Sequence, residues 1–201
     1  MLAERVKLTF RRIFLDVGAN VGQNILNFKK LYGDDYENYE IFAFEPHPDN
    51  FLYLKQKFEV NPKVTLFQAG ASNVDGEKKL YLGSSKSHTF REDKSTFMLT
   101  KDPIKVKSIN LSKWIKNNFT KNDEIILYLD IEGEEYDVLQ EMIDDNILDW
   151  INELYVEFHE KKLNNLDEKQ HDHIMQTLIN TLKDKVYIHA KYQEKLYERL
   201  G

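Results

Sequence analysis

The sequence predicts an α/β protein built on a mostly parallel central sheet, and two features of the chain support this class. Short apolar runs of strand length alternate with segments whose apolar residues recur at helical spacing. Several of the runs also end in an acidic residue, and the carboxyl ends of parallel strands are where open α/β sheets bind their ligands. The predicted strands cover residues 13–16, 41–44, 64–67, 79–82, 104–109, 125–131, 154–159 and 186–189.

Helical segments separate most of these strands. The first begins near Asn24 and ends at Gly33, a residue type that often follows the last turn of a helix. Pro48 suits the first turn of the second helix, because that position needs no backbone N–H. Further apolar stripes occupy residues 111–119, 136–147, 174–182 and the tail 191–201. The strand at 79–82 is expected to pair across the turn at 73–76.

Composition limits the function classes. Residues 1–201 are predicted to form one domain, and the abrupt start about ten residues before the first motif also suits a domain cut from a longer polypeptide. The absence of cysteine excludes disulfides, zinc–thiolate sites and thiol nucleophiles. A net charge of −6 without a block of like charge argues against nucleic acid as a partner. No apolar run has the length of a signal-peptide core or a membrane span, so we expect a cytoplasmic protein without membrane insertion.

The first predicted strand leads into a glycine-rich turn, D-V-G-A-N-V-G at residues 16–22. Its spacing is neither that of the dinucleotide fingerprint nor that of the Walker loop, and no lysine follows. An acid before the first glycine would repel a pyrophosphate but suits a positively charged group, such as the ammonium of an amino-acid moiety. The absence of side chains at Gly18 and Gly22 would let a ligand approach the backbone. The alternative is an ordinary strand-to-helix turn that contains glycine.

Other strand ends add candidates. Glu45 lies close to the roughly 20-residue offset at which an acid meets a ribose hydroxyl in Rossmann-like folds, although a surface acid at a strand end is the simpler alternative. Small residues after the third strand leave room for adenine, and the Gln68 amide could hydrogen bond to it. Residues 83–103 lack periodicity and are interpreted as an acceptor-side loop with Ser87 and His88 as candidate contacts, or as a disordered segment.

Five segments of the chain resemble one family. They are F-L-D-V-G-A-N-V-G-Q (14–23), F-A-F-E-P-H-P-D-N (42–50), V-T-L-F-Q-A-G-A-S-N-V-D-G (64–76), Y-L-D-I-E-G-E-E-Y-D-V-L (128–139) and Y-V-E-F-H (155–159). Together they resemble the FkbM-like S-adenosylmethionine-dependent methyltransferases, and the D-x-E-G-x-E segment is the most discriminating. The resemblance implies a Rossmann-like class I methyltransferase fold, a three-layer α/β/α sandwich. It also implies methylation of hydroxyl groups, mostly on sugars and other small metabolites.

The resemblance assigns roles to individual positions. The residues expected to border the methionine part of the cofactor are Asp16, Gly18, Asn20, Val21 and Gly22. Those expected at its ribose and adenine are Glu45 with Pro46, and Gln68 with Ala69. Those expected to face the reaction centre are Asp130, Glu132, Glu157 and His159, of which Asp130 and Glu132 also belong to the cofactor site, and Glu132 and His159 to the acceptor site.

Two departures from the family pattern are visible. The family commonly has lysine two residues before the aspartate of D-x-E-G, where this chain has Tyr128. Whatever that lysine contributes is therefore in question. The chain also ends early after the fifth buried strand, so the last strand pair of the standard methyltransferase sheet is expected to be shortened or replaced.

A hydroxyl group is a poor nucleophile at neutral pH, so its methylation needs a base or a metal. Asp130, Glu157 and His159 are the predicted catalytic groups, with His159 or Asp130 as the proton acceptor. In the rival mechanism, Asp130 and Glu157 hold a divalent cation such as Mg²⁺, which prefers oxygen ligands. A third interpretation gives Asp130 and Glu132 only a role in positioning the cofactor or as negative charge at a helix N-terminus.

The leading hypothesis is an O-methyltransferase that acts on a sugar hydroxyl, for example of a deoxyhexose such as rhamnose in a glycan. The alternatives are methylation of a non-sugar small metabolite and a catalytically silent module that binds S-adenosylmethionine. A nicotinamide dehydrogenase is disfavoured by the glycine spacing. The expected partner is a small-molecule or glycan acceptor, and the sequence leaves the oligomeric state open.

Overall fold

The computed structural model describes residues 10–83, 87–94, 99–100, 102–159 and 163–188. Its strands are β1 (Arg12–Val17), β2 (Tyr39–Phe44), β3 (Val64–Phe67), β4 (Gly70–Ser72), β5 (Gly76–Leu80), β6 (Ile104–Asn110), β7 (Glu124–Leu129), β8 (Ile151–Val156) and β9 (Val186–Ile188). Its helices are α1 (Gln23–Tyr32), α2 (Pro48–Phe58), α3 (Leu111–Asn118), α4 (Glu135–Asp144) and α5 (Glu168–Leu182). Short 3₁₀ turns cover Gly33–Asn38, Leu148–Trp150 and Lys183–Lys185.

The main sheet has six strands in the order β3-β2-β1-β7-β8-β9, and every neighbouring pair is parallel. The predicted mostly parallel α/β fold is therefore confirmed. Because β1 lies in the middle, the turn that follows it at Gly18 is flanked by the ends of β2 and β7. The residues after these three strands consequently meet at one edge of the sheet.

Two apolar clusters cover the two faces of this sheet. Along β1, Ile13 and Leu15 belong to the cluster that contains buried side chains of α3, α4 and α5, whereas Phe14 belongs to the cluster that contains those of α1 and α2. Successive side chains of a strand point to opposite faces, so the helices form a layer on each side. The result is the three-layer α/β/α arrangement that the family resemblance implies.

A second sheet of three strands has the order β4-β6-β5. The prediction that residues 79–82 pair across the 73–76 turn is wrong, because β5 begins at Gly76 and runs antiparallel to β6. The central strand β6 also takes β4 as a parallel neighbour. This small sheet carries Gly70 and Leu80 to the same edge of the molecule as the end of β2.

Two predicted strands end earlier than expected. Strand β7 ends at Leu129 and β8 at Val156, each before its acidic residue. After Asp130, whose N–H still donates to Val17 O at 3.0 Å, the chain turns sharply through Glu132 and Gly133, which both have positive φ angles. The acids are therefore presented on turns, where their side chains can converge.

The predicted shortening of the last strand pair concerns a part of the chain that the structure describes only as far as residue 188. In the part of the chain that the structure describes, the single strand β9 follows β8 and pairs with it in parallel register. The predicted tail helix at 191–201 and the end of the predicted strand at 189 lie outside the described residues. Among the described helices, none combines the length and the apolar character needed to cross a bilayer.

Candidate active site

The turn after β1 is fixed by backbone contacts on both sides. The N–H groups of Gly18 and Ala19 donate to the carbonyl of Phe44 at 3.1 and 2.9 Å. Gly18 has a φ of +92°, and a Cβ atom built on it would lie 1.8 Å from the carbonyl oxygen of Asp130. Only glycine fits here, because the turn after β1 touches the turn after β7 through their backbones.

Glycine is required at position 22 for a different structural reason. It precedes α1 with a φ of +82°, and a Cβ atom on it would lie 2.3 Å from the ring of Phe58 in α2. This glycine therefore permits close packing of the two helices.

A cavity of about 510 Å³ opens at this edge of the sheet. Of the predicted site residues, it brings together Gly18, Asn20, Val21, Glu45, Pro46, His88, Asp130 and Glu132. It also has walls that the sequence analysis missed, formed by Ala19, Gln23, Asn24, Asn27, Phe44, Asn50, Gly70, Ala71, Leu80, Phe90, Tyr128 and Ile131. A cavity of this size is typical of small-molecule and cofactor sites.

The remaining predicted residues do not line this cavity. Gln68 is exposed and Ala69 is buried in the core cluster, and the residues that follow them, Gly70 and Ala71, form the wall instead. Asp16, Gly22, Ser87, Glu157 and His159 are likewise not among the lining residues. Of these, Asp16 and His159 are buried directly behind the wall, in contact with residues that line it.

Two buried acids stand behind the glycine-rich turn. Asp16 is fully buried and accepts one hydrogen bond, from Asn24 Nδ2 at 3.2 Å, while its Oδ2 has no hydrogen-bond partner among the described residues. Glu45 accepts the backbone N–H groups of Asn20 and His47 at 2.8 and 2.9 Å. Burial raises the pKa of Asp16 to about 7 and that of Glu45 to about 7.

Four carboxylates surround His159. Its Nδ1 lies 2.9 Å from Glu135 Oε1, and its Nε2 lies 3.2 Å from Glu132, 3.7 Å from Glu157 and 3.8 Å from Asp130. Burial alone would lower the pKa of His159, but the hydrogen bond to Glu135 and the surrounding negative charges raise it above its ordinary value.

Glu135 holds the turn after β7 in place. Its Oε1 accepts the N–H of Ile131 at 3.0 Å, and its Oε2 accepts the N–H of Gly133 at 2.9 Å, both from its own turn. It is the last acid of the D-x-E-G-x-E segment. The sequence alone assigns it no role.

The pKa of Asp130 lies well above the ordinary value of an aspartate. Burial raises its pKa to about 8, and the charge of Glu157 adds to the effect. Its Oδ1 is buried without a hydrogen-bond partner among the described residues, and the residue lines the cavity. A buried acid that is partly protonated near neutral pH is a candidate for proton transfer.

Residues 87–94 cross over the turn after β7. Thr89 Oγ1 donates to Glu132 O at 2.7 Å, and the buried Lys94 forms an ion pair with the Glu132 carboxylate. The Arg91 guanidinium binds Asp93 at 2.9 Å and Asp137 of α4 at 3.3 Å. Of the predicted loop contacts, His88 reaches the cavity, where its ring stacks on His47 at 4.1 Å.

His88 is a neutral side chain in this position. Burial lowers its pKa to about 4, and the neighbouring His47 adds to the effect. Its Nδ1 is the acceptor for the N–H of Gly83 at 3.3 Å, so the proton of the neutral ring is on Nε2. His88 can therefore offer a hydrogen-bond donor without a charge.

Some of the missed residues carry a signal in the sequence. Gln23, Asn24 and Asn27 lie on the first two turns of α1, and the spacing of Asn24 and Asn27 puts them on one face of that helix. A polar face of α1 directly after the glycine-rich turn could have been identified as a wall. Phe90 carries no such signal, because it lies in a segment without periodicity.

A family model described as "Methyltransferase FkbM domain" matches residues 16–189. A crystal structure of the methyltransferase FkbM from Methylobacillus flagellatus KT is 16% identical to the chain, with a TM-score of 0.39. That likeness covers 72% of this chain and 33% of the other, so the chain corresponds to about a third of that protein. The comparison with curated proteins gives no match. Because the family model spans most of the sequence, this chain belongs to the family of methyltransferase FkbM domains.

Proposed function

We propose that the protein is an S-adenosylmethionine-dependent methyltransferase that transfers a methyl group to a hydroxyl of a small acceptor. One observation supports the proposal most directly. A single cavity of about 510 Å³ is bounded by the glycine-rich turn, by Glu45 and by Asp130. These groups come from the ends of three adjacent parallel strands, so cofactor and acceptor would meet at one point.

The residues at this edge fit a cofactor with positive charge. Asp16 Oδ2 and Asp130 Oδ1 are buried oxygens without hydrogen-bond partners among the described residues. A buried carboxylate oxygen without a hydrogen bond is costly, and an ammonium or sulfonium group in the cavity would offset this cost for Asp130, which lines the cavity, while Asp16 lies behind its wall. Glu45 retains lone pairs for ribose hydroxyls, since each of its oxygens accepts one backbone N–H. When bound, S-adenosylmethionine would supply the electrophilic methyl group.

Asp130 is the proposed proton acceptor. It lines the cavity, whereas His159 lies behind it with Nε2 at 3.8 Å from Asp130 Oδ1. The acceptor hydroxyl must lose its proton as the new oxygen–carbon bond forms, and a carboxylate with a pKa of about 8 can take it. His159, held by Glu135, would then stabilise the charge state of Asp130.

A divalent cation is the rival. Asp130, Glu135 and His159 each offer one ligand atom, and these atoms lie within 4.8 Å of one another. This set differs from the pair Asp130 and Glu157 that the sequence analysis suggests. The oxygens of Glu135 already accept two backbone N–H groups and face His159, which leaves little capacity for an ion. Activity that is lost on chelation and restored by Mg²⁺ would favour the metal mechanism over Asp130 as the base.

The acceptor is proposed to be a sugar, such as a deoxyhexose free or within a glycan. The preference comes from the family resemblance, and the side chains of the cavity support it. Asn20, Asn24, Asn27 and Asn50 line its wall, and carboxamides both donate hydrogen bonds to hydroxyl groups and accept them. A non-sugar hydroxyl remains the alternative acceptor. We also propose that the protein works in the cytoplasm.

Calorimetric titration with S-adenosylhomocysteine tests the cofactor. We expect micromolar binding by the wild-type protein and weaker binding by Asp130→Asn, with Asp34→Asn, an exposed aspartate, as the matched control. No heat with S-adenosylhomocysteine, together with binding of NAD, would overturn the proposal. If the cofactor binds, a screen of sugars, phenols and acids with S-adenosylmethionine follows. Turnover restricted to sugars supports the proposed acceptor, and binding without turnover on any acceptor indicates a catalytically silent module.

A further inference from the structure

One wall of the cavity is an aromatic ring packed against glycine. Phe90 and Gly70 both line the cavity, and a Cβ atom on Gly70 would lie 2.3 Å from Phe90 Cζ. The same position is 3.3 Å from Pro46 Cβ. Gly70 therefore provides the space in which the Phe90 ring lies beside Pro46, and these three residues are the Phe90 wall.

A lysine lies over this ring. The Nζ atom of Lys78, on β5, is 5.0 Å from the centre of the Phe90 ring, within the range of a cation–π contact. The side chain of Lys78 is 25% exposed. This contact joins the small sheet to residues 87–94, which also pair with Tyr81 through the backbone of Thr89 at 2.8 and 3.0 Å.

The ammonium of Lys78 also contacts two polar side chains. It forms an ion pair with Glu134 and donates to Ser72 Oγ at 3.0 Å, and Ser72 Oγ donates to Glu134 at 2.6 Å. Glu134 is 1% exposed. A buried ion pair adds little net stability but fixes the geometry of its partners, and removing one partner leaves the other uncompensated.

Glu134 belongs to the turn that presents the reacting acids. It lies between Glu132 and Glu135, at the unspecified position of D-x-E-G-x-E, so the motif does not dictate this acid. The turn that carries Asp130 thus also anchors the cation over Phe90.

We propose that Lys78 is a positioning residue for the purine of the cofactor, which it orients by holding the Phe90 ring as the wall of the adenine end. The inference rests on the proposed function. A purine is planar and stacks on aromatic side chains, and the Phe90 wall offers ring and proline surface at the cavity. The Glu134–Lys78 pair does not line the cavity and acts only through Phe90.

The experiment compares two ligands that share the adenine but differ at the other end. S-Adenosylhomocysteine carries an amino-acid group, and 5′-methylthioadenosine does not. Their dissociation constants are measured by calorimetry for the full chain, for Lys78→Met and for Lys79→Met, an exposed neighbour on β5. Lys78→Arg keeps both the charge and the donors. Asp130→Asn serves as the contrast, because it changes the polar side of the site.

For Lys78→Met we expect both ligands to weaken by the same factor, roughly three- to tenfold, because ordering the freed Phe90 ring on binding then costs up to the energy of one cation–π contact. Lys79→Met should match the wild type, and Lys78→Arg should retain most of the affinity. Asp130→Asn should weaken S-adenosylhomocysteine more than 5′-methylthioadenosine. If Lys78→Met does not fold, Phe90→Leu carries the test with the same equal loss expected.

Three results would contradict the inference in different ways. Unchanged affinities in both Lys78→Met and Phe90→Leu would show that the wall does not position the purine. A loss for S-adenosylhomocysteine alone would assign Lys78 to the amino-acid end. Failure of the wild-type protein to bind either ligand would instead overturn the proposed function, and the inference with it.

Discussion

His159 Nδ1 lies 2.9 Å from Glu135 Oε1, and both side chains are buried. An ionised carboxylate can only accept, so the proton of this hydrogen bond is on Nδ1. The same carboxylate accepts the N–H groups of Ile131 and Gly133. One side chain of α4 therefore fixes both the histidine and the turn that presents Asp130 and Glu132.

Replacing this carboxylate should destabilise the whole domain. Glu135→Ala would leave a buried imidazole and two N–H groups without their acceptor, and we expect it to lower the free energy of unfolding by about 3 kcal/mol or more. Urea denaturation measures the change. Glu77→Ala, at an exposed position of β5, should stay within about 0.5 kcal/mol of the wild type. Equal effects of the two substitutions would contradict a structural role for Glu135.

The pH dependence of turnover should follow Asp130. Burial and then the charge of Glu157 raise its pKa to about 8, so the carboxylate form that accepts a proton increases as the pH rises through 8. Single-turnover rates with an acceptor from the screen should rise accordingly towards alkaline pH. Glu157→Gln removes a repelling charge, lowers the pKa of Asp130 and should move the profile to lower pH.

The controls for this profile are Glu168→Gln and Asp130→Asn. Glu168 is exposed on α5, so its substitution should leave the profile in place. Asp130→Asn should reduce the rate by about 100-fold or more, the usual contribution of a general base. A flat profile, or one that Glu157→Gln does not move, would argue that another group accepts the proton.

The stability of the ligand-free protein should fall as the pH rises from about 4 to about 7. Burial raises the pKa of Asp16 from 3.8 to about 7, so the folded state keeps a proton that the unfolded chain has released over this range. That proton stabilises the folded state most at low pH, and its contribution is lost as the pH passes the folded-state value. Asp16→Asn should flatten this part of the curve, measured by urea denaturation at pH 4.5 and 8. A slope unchanged by the substitution would mean that Asp16 is ionised in the folded protein.

Substitutions of two glycines with positive φ distinguish the cost of a steric clash from the cost of an unfavourable backbone conformation. Gly33→Ala should cost about 1–2 kcal/mol, because its backbone angles, φ +53° and ψ −127°, are unfavourable for an L-residue while its Cβ position is open. Gly18→Ala adds a clash with the carbonyl of Asp130 and should cost about 3 kcal/mol or more. Thermal denaturation of both variants, with S-adenosylhomocysteine binding as a second measurement, tests the comparison. Similar stabilities would contradict the close contact between the two turns.

The sequence could predict the sheet because its signal is local. Apolar runs such as 64–67 and the start of α2 at Pro48 depend on residues close together in the chain, and both are confirmed. The arrangement of β4, β5 and β6 could not be predicted, since the partner of Gly76 is Ser108, far along the chain. A turn next to an apolar run suggests a hairpin in the sequence, even where the strand pairs with a more distant segment of the chain.

The sequence indicates the candidate site most clearly at the ends of strands. Glu45 and Asp130 follow apolar runs, and the structure brings both to the cavity. Gln68 and Ala69 precede the cavity wall, because β4 carries the next two small residues, Gly70 and Ala71, to it. Phe90 and Lys78 depend on contacts between distant segments. No local pattern marks such residues.

The pairing of β1 with β7 has a consequence for how the protein reaches its native state. Arg12 pairs with Glu124, and their side chains interact across 112 positions of sequence. Closing such a loop costs chain entropy before its contacts form, so this pairing is expected to be among the slower steps of folding. The turn at Gly18 comes into contact with the turn after β7 only at that step. Ligand-binding competence and the burial of the central strand should therefore appear together in refolding kinetics, without an earlier phase in which half of the site is formed.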